Sequence, residues 1–300
     1  MKDQKVTTEI VCQDCVAFLS EYGGRPFDLT FLDPPFNQGK DYNHHNDAMP
    51  EEAYWEWMTR VCRLVLQHSS KGAALYFMQR EKNSERVLKA VREAGWFLQN
   101  VIIWKKKTSA VPGTSRYGKQ YQIIAFATKG ERPRVFNKLR IDPPLPSDYR
   151  YKRDRGLFVT DVWDDIRELT AGYFAGDEAL RDDRGERIHK QQSPIQLLLR
   201  IILSSSLPGD LVFDSFAGTG TTLVVAQQLA RSSIGIDIDP VNTEIIKKRL
   251  ASIRASDELL KSAPYYRFSE NLDGIWGRVL PDELKTVILP ELSLQYEEEM

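Results

Sequence analysis

Two short segments of this chain combine residue types that could do chemistry on a planar ring bearing an amine. Asp33, Pro34, Pro35 and Phe36 follow the apolar run Phe27–Leu32, which has the composition of a buried strand. Two successive prolines cannot continue a sheet ladder, so the strand must end there in a rigid turn. The Asp33 carboxylate and the Pro34 carbonyl can each accept one N–H of an exocyclic amine, and Phe36 offers a ring on which a base can stack. The four residues therefore predict a catalytic site that orients a nucleobase amine.

The second segment, residues 211–222, reads LVFDSFAGTGTT and has the pattern of a strand, a glycine turn and a helix. Gly218 and Gly220 allow the backbone to approach a ligand closely. Asp237 ends a further apolar strand 19 residues after Gly218, near the spacing of roughly 20 residues at which an acid meets ribose hydroxyls. Leu223 occupies the third glycine position of a dinucleotide fingerprint, so the pattern favours a nucleoside over a dinucleotide.

With both segments in place, the chain resembles the S-adenosylmethionine-dependent DNA amino-methyltransferases that act on N6 of adenine or N4 of cytosine. It is similar to the permuted group in which a DPP[YF] motif precedes the cofactor motif, and the resemblance covers roughly residues 8–252. The resemblance implies S-adenosylmethionine as the cofactor and implies no metal. The cofactor-binding residues that it implies are Asp14, Cys15, Gln192, Ser193, Asp214, Phe216, Ala217, Gly218, Thr219, Gly220, Thr221 and Asp237.

One segment departs from the family pattern and also has a local interpretation. Family members carry a sequence like H-P-x-Q-K-P before the glycine turn, where this chain has Lys190 for the proline and Ser193 for the lysine. Ser215 likewise stands where proline is usual. Read locally, Ser193 is a favourable N-cap, Pro194 suits the first helical position, and Gln196 completes a capping box. The segment therefore predicts a helix start at this point.

Composition is consistent with an enzyme of the cytoplasm. The 300 residues are 42% hydrophobic, enough for one large α/β domain with an insertion. The N-terminus lacks the apolar core of a signal peptide, and no apolar stretch approaches the ~18 residues of a membrane span. Three cysteines do not indicate a disulfide framework.

Positive charge is concentrated in one stretch of the chain, although the net charge is only −1. Between residues 105 and 155 there are 14 Lys and Arg against four acids, with tyrosines interleaved. Such a stretch is typical of phosphate contact, while a solvated basic surface remains the alternative. The predicted DNA-binding residues are Lys105, Lys106, Lys107, Arg116, Lys119, Arg132 and Arg134.

Strand and helix patterns alternate along the chain, which predicts an α/β fold: a Rossmann-like, mostly parallel sheet with helices on both faces. The resemblance implies seven strands and an inserted target-recognition region. We expect a catalytic half at residues 1–104, a basic insertion at 105–188, a cofactor-binding half at 189–255 and an accessory tail at 256–300. The polar stretch 37–50, with His44 and His45, is expected to form a loop over the target pocket.

The resulting prediction is methylation of N6 of adenine in double-stranded DNA after base flipping. A cognate restriction endonuclease and a homodimer are the further partners that the resemblance allows, and no membrane is expected. N4 of cytosine is the alternative target. Family members that act on cytosine tend to carry Ser first in this motif and often Phe last, so Asp33 favours adenine whereas Phe36 favours cytosine. A catalytically decayed DNA-binding protein, an RNA methyltransferase and a glutamine methyltransferase stay open. A nicotinamide-dependent oxidoreductase would leave residues 33–36 unexplained.

Overall fold

The computed structural model describes residues 6–39, 41–42, 45–108, 111–142, 155–169, 176–182, 184–188 and 192–281. Its strands are β1 (Thr8–Cys12), β2 (Phe27–Leu32), β3 (Asp41–Tyr42), β4 (His45–Asn46), β5 (Ser69–Arg80), β6 (Phe97–Lys105), β7 (Tyr121–Thr128), β8 (Arg140–Ile141), β9 (Leu157–Phe158), β10 (Val162–Trp163), β11 (Leu211–Asp214) and β12 (Ser232–Asp237). Its α-helices are α1 (Cys15–Glu21), α2 (Glu51–His68), α3 (Ser84–Glu93), α4 (Ile195–Ser205), α5 (Thr221–Gln228), α6 (Pro240–Ala251) and α7 (Leu272–Trp276).

The main sheet has eight strands in the order β1-β12-β11-β2-β5-β7-β6-β10. Its pairings are parallel except those that β7 makes with β5 and β6. The parallel strands therefore all end at one edge, here called the carboxyl edge, and begin at the opposite amino edge. The predicted mostly parallel α/β sheet is confirmed, but the predicted number of seven strands is wrong. The eighth is the two-residue strand β10, which adds to β6 from within the expected insertion.

Each face of the sheet carries its own layer of helices. Helices α1, α2 and α3 pack on one face, with a cluster of buried residues beneath them. Helices α4 and α5 cover the other face together with residues 259–280. Within the described ranges, no helix is both long enough and apolar enough to cross a membrane.

Two of the expected segment boundaries need correction. Strand β7 lies within the expected insertion, yet it pairs along its whole length with β5 and β6 and belongs to the main sheet. The expected accessory tail begins at residue 256, but Tyr266, Leu272 and Trp276 are at most 1% exposed. These side chains complete the core over α4 and α5, because that face would otherwise expose apolar surface to water. The rest of the expected tail, residues 282–300, lies outside the described residues.

The start of α4 differs from the local capping pattern. Helix α4 begins at Ile195, with Pro194 at the N-cap position and no side-chain cap from its own segment. The Ile195 N–H instead donates to the Glu178 carboxylate at 2.5 Å, and the Gln196 amide donates to the hydroxyl of Ser262. The predicted capping by Ser193 and Gln196 is therefore wrong, since a carboxylate distant in sequence satisfies the helix end.

Helix α1 was not predicted, although its local signal is present. The Asp14 carboxylate accepts hydrogen bonds from the N–H groups of Val16 and Ala17, both at 2.9 Å. This is the geometry of an N-cap. The helix has only seven residues, which is too short for apolar periodicity to be visible. It places Asp14 at the carboxyl edge, directly after β1.

Candidate active site

The predicted catalytic and cofactor-binding residues are brought together in one cavity at the carboxyl edge, where β2, β11 and β12 end. Those that line its wall are Asp14, Cys15, Asp33, Pro34, Pro35, Gln192, Ser193, Asp214, Phe216, Ala217, Gly218, Thr219, Thr221 and Asp237. Phe36 and Gly220 are the two predicted residues that do not line it. The turn at residues 33–35 and the glycine turn therefore border one shared space.

The turn after β2 is held by a buried hydrogen-bond chain. The Tyr54 hydroxyl donates to the Pro35 carbonyl at 2.7 Å and accepts from the Gln79 amide at 2.9 Å. Both side chains are fully buried, with Tyr54 on α2 and Gln79 on β5. Among the described residues, none donates a hydrogen bond to the Pro34 carbonyl. The chain thus fixes the turn through Pro35 and leaves the Pro34 carbonyl available to a ligand.

Asp33 is oriented by a residue distant in sequence. The Ser193 hydroxyl donates to Asp33 Oδ2 at 2.9 Å, across 160 residues of sequence. Both residues line the cavity. The sequence pattern placed Ser193 near a cofactor but gave no sign that it contacts the catalytic carboxylate.

Phe36 does not present a stacking face in this arrangement. Its side chain is 7% exposed and lies outside the cavity wall. The next residue, Asn37, takes a left-handed backbone conformation with φ of 52°. Its N–H donates to the Asp47 carboxylate at 2.7 Å, and its side-chain amide bridges the backbone of Met49. These bonds tie both ends of the expected polar loop together; His44, within that loop, lies outside the described residues.

The glycine turn between β11 and α5 packs closely at Gly220, but against the side chain of Ile246 on α6 and not against the cavity. Gly220 has φ of 77°, and a Cβ there would lie 2.8 Å from the side chain of Ile246. The N–H of Gly218 donates to Asp237 Oδ2 at 2.8 Å. The other oxygen of Asp237 accepts from the Asp239 N–H and from the Asn242 amide. The acid expected from spacing alone is thus fixed directly against the turn.

Carboxylates give the cavity a negative wall. Asp14, Asp33, Asp214, Asp237 and Asp239 all line it. Burial raises the pKa of Asp214 from 3.8 to about 6, against the opposing effect of its hydrogen bonds from Thr222 and Phe216. Burial likewise raises the pKa of Asp237. Desolvated carboxylates of this kind favour a cationic ligand, which offsets their charge.

Sequence reasoning missed several lining residues. Trp57 on α2 lies edge-on to Phe216, with ring centroids 5.6 Å apart, and nothing in the local sequence signals its position. Ser215 is buried, and its hydroxyl has no hydrogen-bond partner among the residues that the structure describes. Asp239 and Asn242 follow β12, where Asp239 caps α6 ahead of Pro240. That cap is a readable helix-start signal, so these two could have been found from sequence.

The predicted DNA-binding residues fall into two groups on opposite edges of the sheet. Five of them lie at the carboxyl edge, at the end of β6 or between β6 and β7: Lys105, Lys106, Lys107, Arg116 and Lys119. Lys119 there pairs with Glu81 at 3.1 Å.

Arg132 and Arg134 follow β7 and lie at the amino edge instead. The Arg134 N–H donates to the carbonyl of Gly72 near the start of β5. Its guanidinium forms ion pairs with Asp28, near the start of β2, and with Asp210, immediately before β11. Neither arginine is brought to the edge that holds the cavity.

Comparison with known proteins agrees with this architecture. The model of the N6/N4 DNA methylase family matches residues 27–248. The DNA adenine methyltransferase YhdJ of Escherichia coli (strain K12) is 31% identical over 277 residues, covering 84% of this chain and 86% of that protein. The type II methyltransferase M.HpaI of Haemophilus parainfluenzae is 28% identical over 264 residues, covering 85% of this chain and 79% of that protein.

Two solved structures share the fold. The M1.HpyAVI–SAM complex gives a TM-score of 0.55 at 20% identity, over 82% of this chain and 100% of that chain. The cytosine-N4-specific PvuII DNA methyltransferase gives 0.60 at 18% identity, over 90% of this chain and 94% of that chain. The family match spans most of the sheet and both cavity-lining motifs, so this chain belongs to the N6/N4 family of DNA methyltransferases.

Proposed function

We propose that this chain transfers a methyl group from S-adenosylmethionine to the N6 amine of adenine in duplex DNA. One observation carries the proposal: the Asp33 turn and the glycine turn, at the ends of the neighbouring strands β2 and β11, line the same cavity. A group held by the glycine turn and an amine held by the Asp33 turn would therefore meet. Catalysis of this kind needs positioning and local electrostatics.

The residues around the glycine turn fit S-adenosylmethionine. Gly218 and Thr219 present the turn to the cavity, Asp237 offers a carboxylate for hydroxyl groups, and the negative wall matches a cation. When bound, S-adenosylmethionine supplies a methyl group made electrophilic by its sulfonium. Asp14 and Asp237 would hold the nucleoside part, and residues 214–221 would lie beneath the remainder.

The Asp33 turn supplies the two acceptors that an exocyclic amine needs. Asp33 can accept one N–H and the Pro34 carbonyl the other, because the adjacent Pro35 carbonyl is already occupied by Tyr54. Accepting both N–H groups turns the nitrogen lone pair away from the ring and toward the methyl donor. A duplex base cannot reach this recess, so it must be flipped out of the helix. We propose that Phe36 reaches the base only through rearrangement of its turn.

The lysines at the carboxyl edge are the proposed phosphate contacts. Lys105 and Lys107 are exposed at the end of β6, three strands from β2 in the sheet order. At roughly 4.8 Å per strand this is about 14 Å, within the reach of a DNA duplex whose base enters the cavity. Glu168 fixes the turn by accepting from the N–H groups of Lys107 and Thr108. Arg132 and Arg134 are not carried into this surface.

Methylation at N4 of cytosine is the second candidate. It is supported by the fold shared with the cytosine-N4-specific PvuII enzyme and by Phe36 at the end of the motif. Asp33 in place of serine, together with the similarity to an adenine methyltransferase at 31% identity, supports adenine. The type II relative M.HpaI makes a cognate restriction endonuclease a further proposed partner.

The test of the catalytic assignment is the Asp33→Ala variant, with Asp33→Asn as the variant of matched shape. We expect both to lose methyl transfer to DNA while still binding S-adenosylmethionine, since the proposed cofactor contacts are made by other residues. Transfer is measured with labelled cofactor and binding by calorimetry. Wild-type activity in Asp33→Ala would overturn the assignment.

A further inference from the structure

We propose that Ser193 is a positioning residue for methyl transfer: its hydroxyl fixes the rotation of the Asp33 carboxylate. The inference rests on the proposed function and deepens it, because it assigns to Ser193 a role toward the amine-binding side of the cavity. The observation behind it is the hydrogen bond from Ser193 Oγ to Asp33 Oδ2 at 2.9 Å.

The Ser193 hydroxyl has one proton to donate, and the structure shows where it goes. It goes to Asp33 Oδ2. The Ser193 oxygen does not accept from Ile195, because that N–H donates to the Glu178 carboxylate. Donation to Oδ2 of Asp33 holds that oxygen on the Ser193 side of the cavity. The second oxygen, Oδ1, is then directed to accept the N–H of an amine. Without the hydroxyl, Asp33 would lose this hydrogen bond, and the orientation of Oδ1 toward the amine would be less restricted.

Ser193 is itself held firmly from two sides. The buried Gln192 side chain accepts from the Leu180 N–H and donates to the Glu178 carbonyl, each at 3.0 Å. Pro194 restricts the backbone on the other side, with φ of −65°. The Glu178 carbonyl also accepts from the guanidinium of Arg254 at 2.9 Å. The residues on either side of Ser193 are thus restrained, so its hydroxyl is carried by a fixed segment of backbone.

A positioning role predicts a specific kinetic pattern. Removing the hydroxyl should lower kcat, since the reacting amine is misaligned, while the affinity for S-adenosylmethionine should change little. A contact with the cofactor would give the reverse pattern: weaker cofactor binding with kcat retained. A purely structural role would lower the unfolding temperature and affect both.

The experiment compares four variants of the full chain with the unmodified protein. Ser193→Ala removes the hydroxyl; Ser193→Thr keeps it, and Ser193→Val has the shape of threonine without it. Ser70→Ala is the matched control, because the Ser70 hydroxyl donates to Asp28 Oδ1 at the same 2.9 Å but at the amino edge, away from the cavity. Measurements are kcat and KM for DNA and S-adenosylmethionine, cofactor Kd by calorimetry, and the thermal unfolding midpoint.

We expect Ser193→Ala and Ser193→Val to lose about 10- to 100-fold in kcat, the factor for one hydrogen bond to a charged acceptor. Cofactor Kd should stay within about twofold, Ser193→Thr should recover most of the activity, and Ser70→Ala should match the unmodified protein.

Wild-type kcat in Ser193→Ala would overturn the inference, as would equal activity of Ser193→Thr and Ser193→Val. Weakened cofactor binding with unchanged kcat would also overturn it. The failure of the proposed function is distinct from these outcomes, since the unmodified protein and Ser70→Ala would then both transfer no methyl group to DNA.

Discussion

The buried carboxyl group of Asp214 should make the stability of the cofactor-free protein depend on pH in an unusual direction. Asp214 ends β11 and is 3% exposed. It accepts hydrogen bonds from the Phe216 N–H at 3.0 Å and from the Thr222 hydroxyl at 2.5 Å. These bonds lower its pKa, but burial outweighs them and raises the pKa from 3.8 to about 6. The folded protein therefore binds this proton more tightly than the unfolded chain does.

The size and sign of the effect follow from linkage. A pKa difference of about 2 units corresponds to about 3 kcal/mol, at 1.36 kcal/mol per unit. Between pH 4 and 6 the folded state holds more protons at this site, so the free energy of unfolding falls as the pH rises. The contribution of Asp214 is thus most favourable below its unfolded pKa of 3.8 and is lost as the pH passes its folded value of about 6.

The assay is urea unfolding of the cofactor-free protein and of Asp214→Asn from pH 4 to pH 8. Asparagine has nearly the same shape as aspartate and does not titrate. Asp237 and all other titratable groups are present in both proteins, so the difference between the two profiles reports on Asp214. The free energy of unfolding of the unmodified protein, minus that of the variant, should fall by about 2 kcal/mol between pH 4 and pH 8 and level off above about pH 7, since the carboxyl of the unfolded chain is already more than half ionised at pH 4. Parallel pH profiles for the two proteins would refute the reasoning.

Two further predictions concern the turn after β2 and the DNA surface. Tyr54→Phe should lower the free energy of unfolding by about 1–3 kcal/mol, because it leaves the fully buried Gln79 amide without its acceptor and the half-buried Pro35 carbonyl without its donor. It should also lower kcat with cofactor affinity retained; an unchanged urea midpoint would contradict this. Lys105→Ala combined with Lys107→Ala should weaken DNA binding and reduce the slope of log K against log salt by about 2. Arg132→Ala should change neither affinity nor slope, as fluorescence anisotropy would show, and equal effects at both edges would contradict the proposed surface.

Local signals explain what the sequence could predict of the fold and site. Strand β2 and its end at Pro34 rest on six successive buried residues and two prolines, all within a few positions of one another. The glycine turn is equally local, because Gly218 and Gly220 sit between a strand and a helix. The position of Asp237 relative to Gly218 could be predicted from their spacing in sequence, because a single strand–helix–strand unit contains both residues.

The errors share a physical cause, since they depend on contacts between distant parts of the chain. Ser193 has the local pattern of a helix cap, but Glu178 reaches the helix end and frees Ser193 to contact Asp33. Neither partner is identifiable from the surrounding residues.

The charge pattern did not show that the basic residues lie at two edges of the sheet, for a related reason. Lysines and arginines were counted along the chain, but β7 carries the chain from the carboxyl edge to the amino edge. Residues 105–119 and residues 129–134 are near in sequence and separated by the height of the sheet. A charge count cannot show this unless the strand between the two groups is recognised as part of the main sheet.

The central claim is methyl transfer to the N6 amine of adenine, and one measurement tests it most directly. The protein is incubated with labelled S-adenosylmethionine and unmethylated genomic DNA, and the modified nucleoside is identified by mass spectrometry. The account predicts N6-methyladenine, absent from the Asp33→Ala reaction. N4-methylcytosine as the product would contradict the assigned target, and no labelled nucleoside despite intact cofactor binding would contradict the proposed activity on DNA.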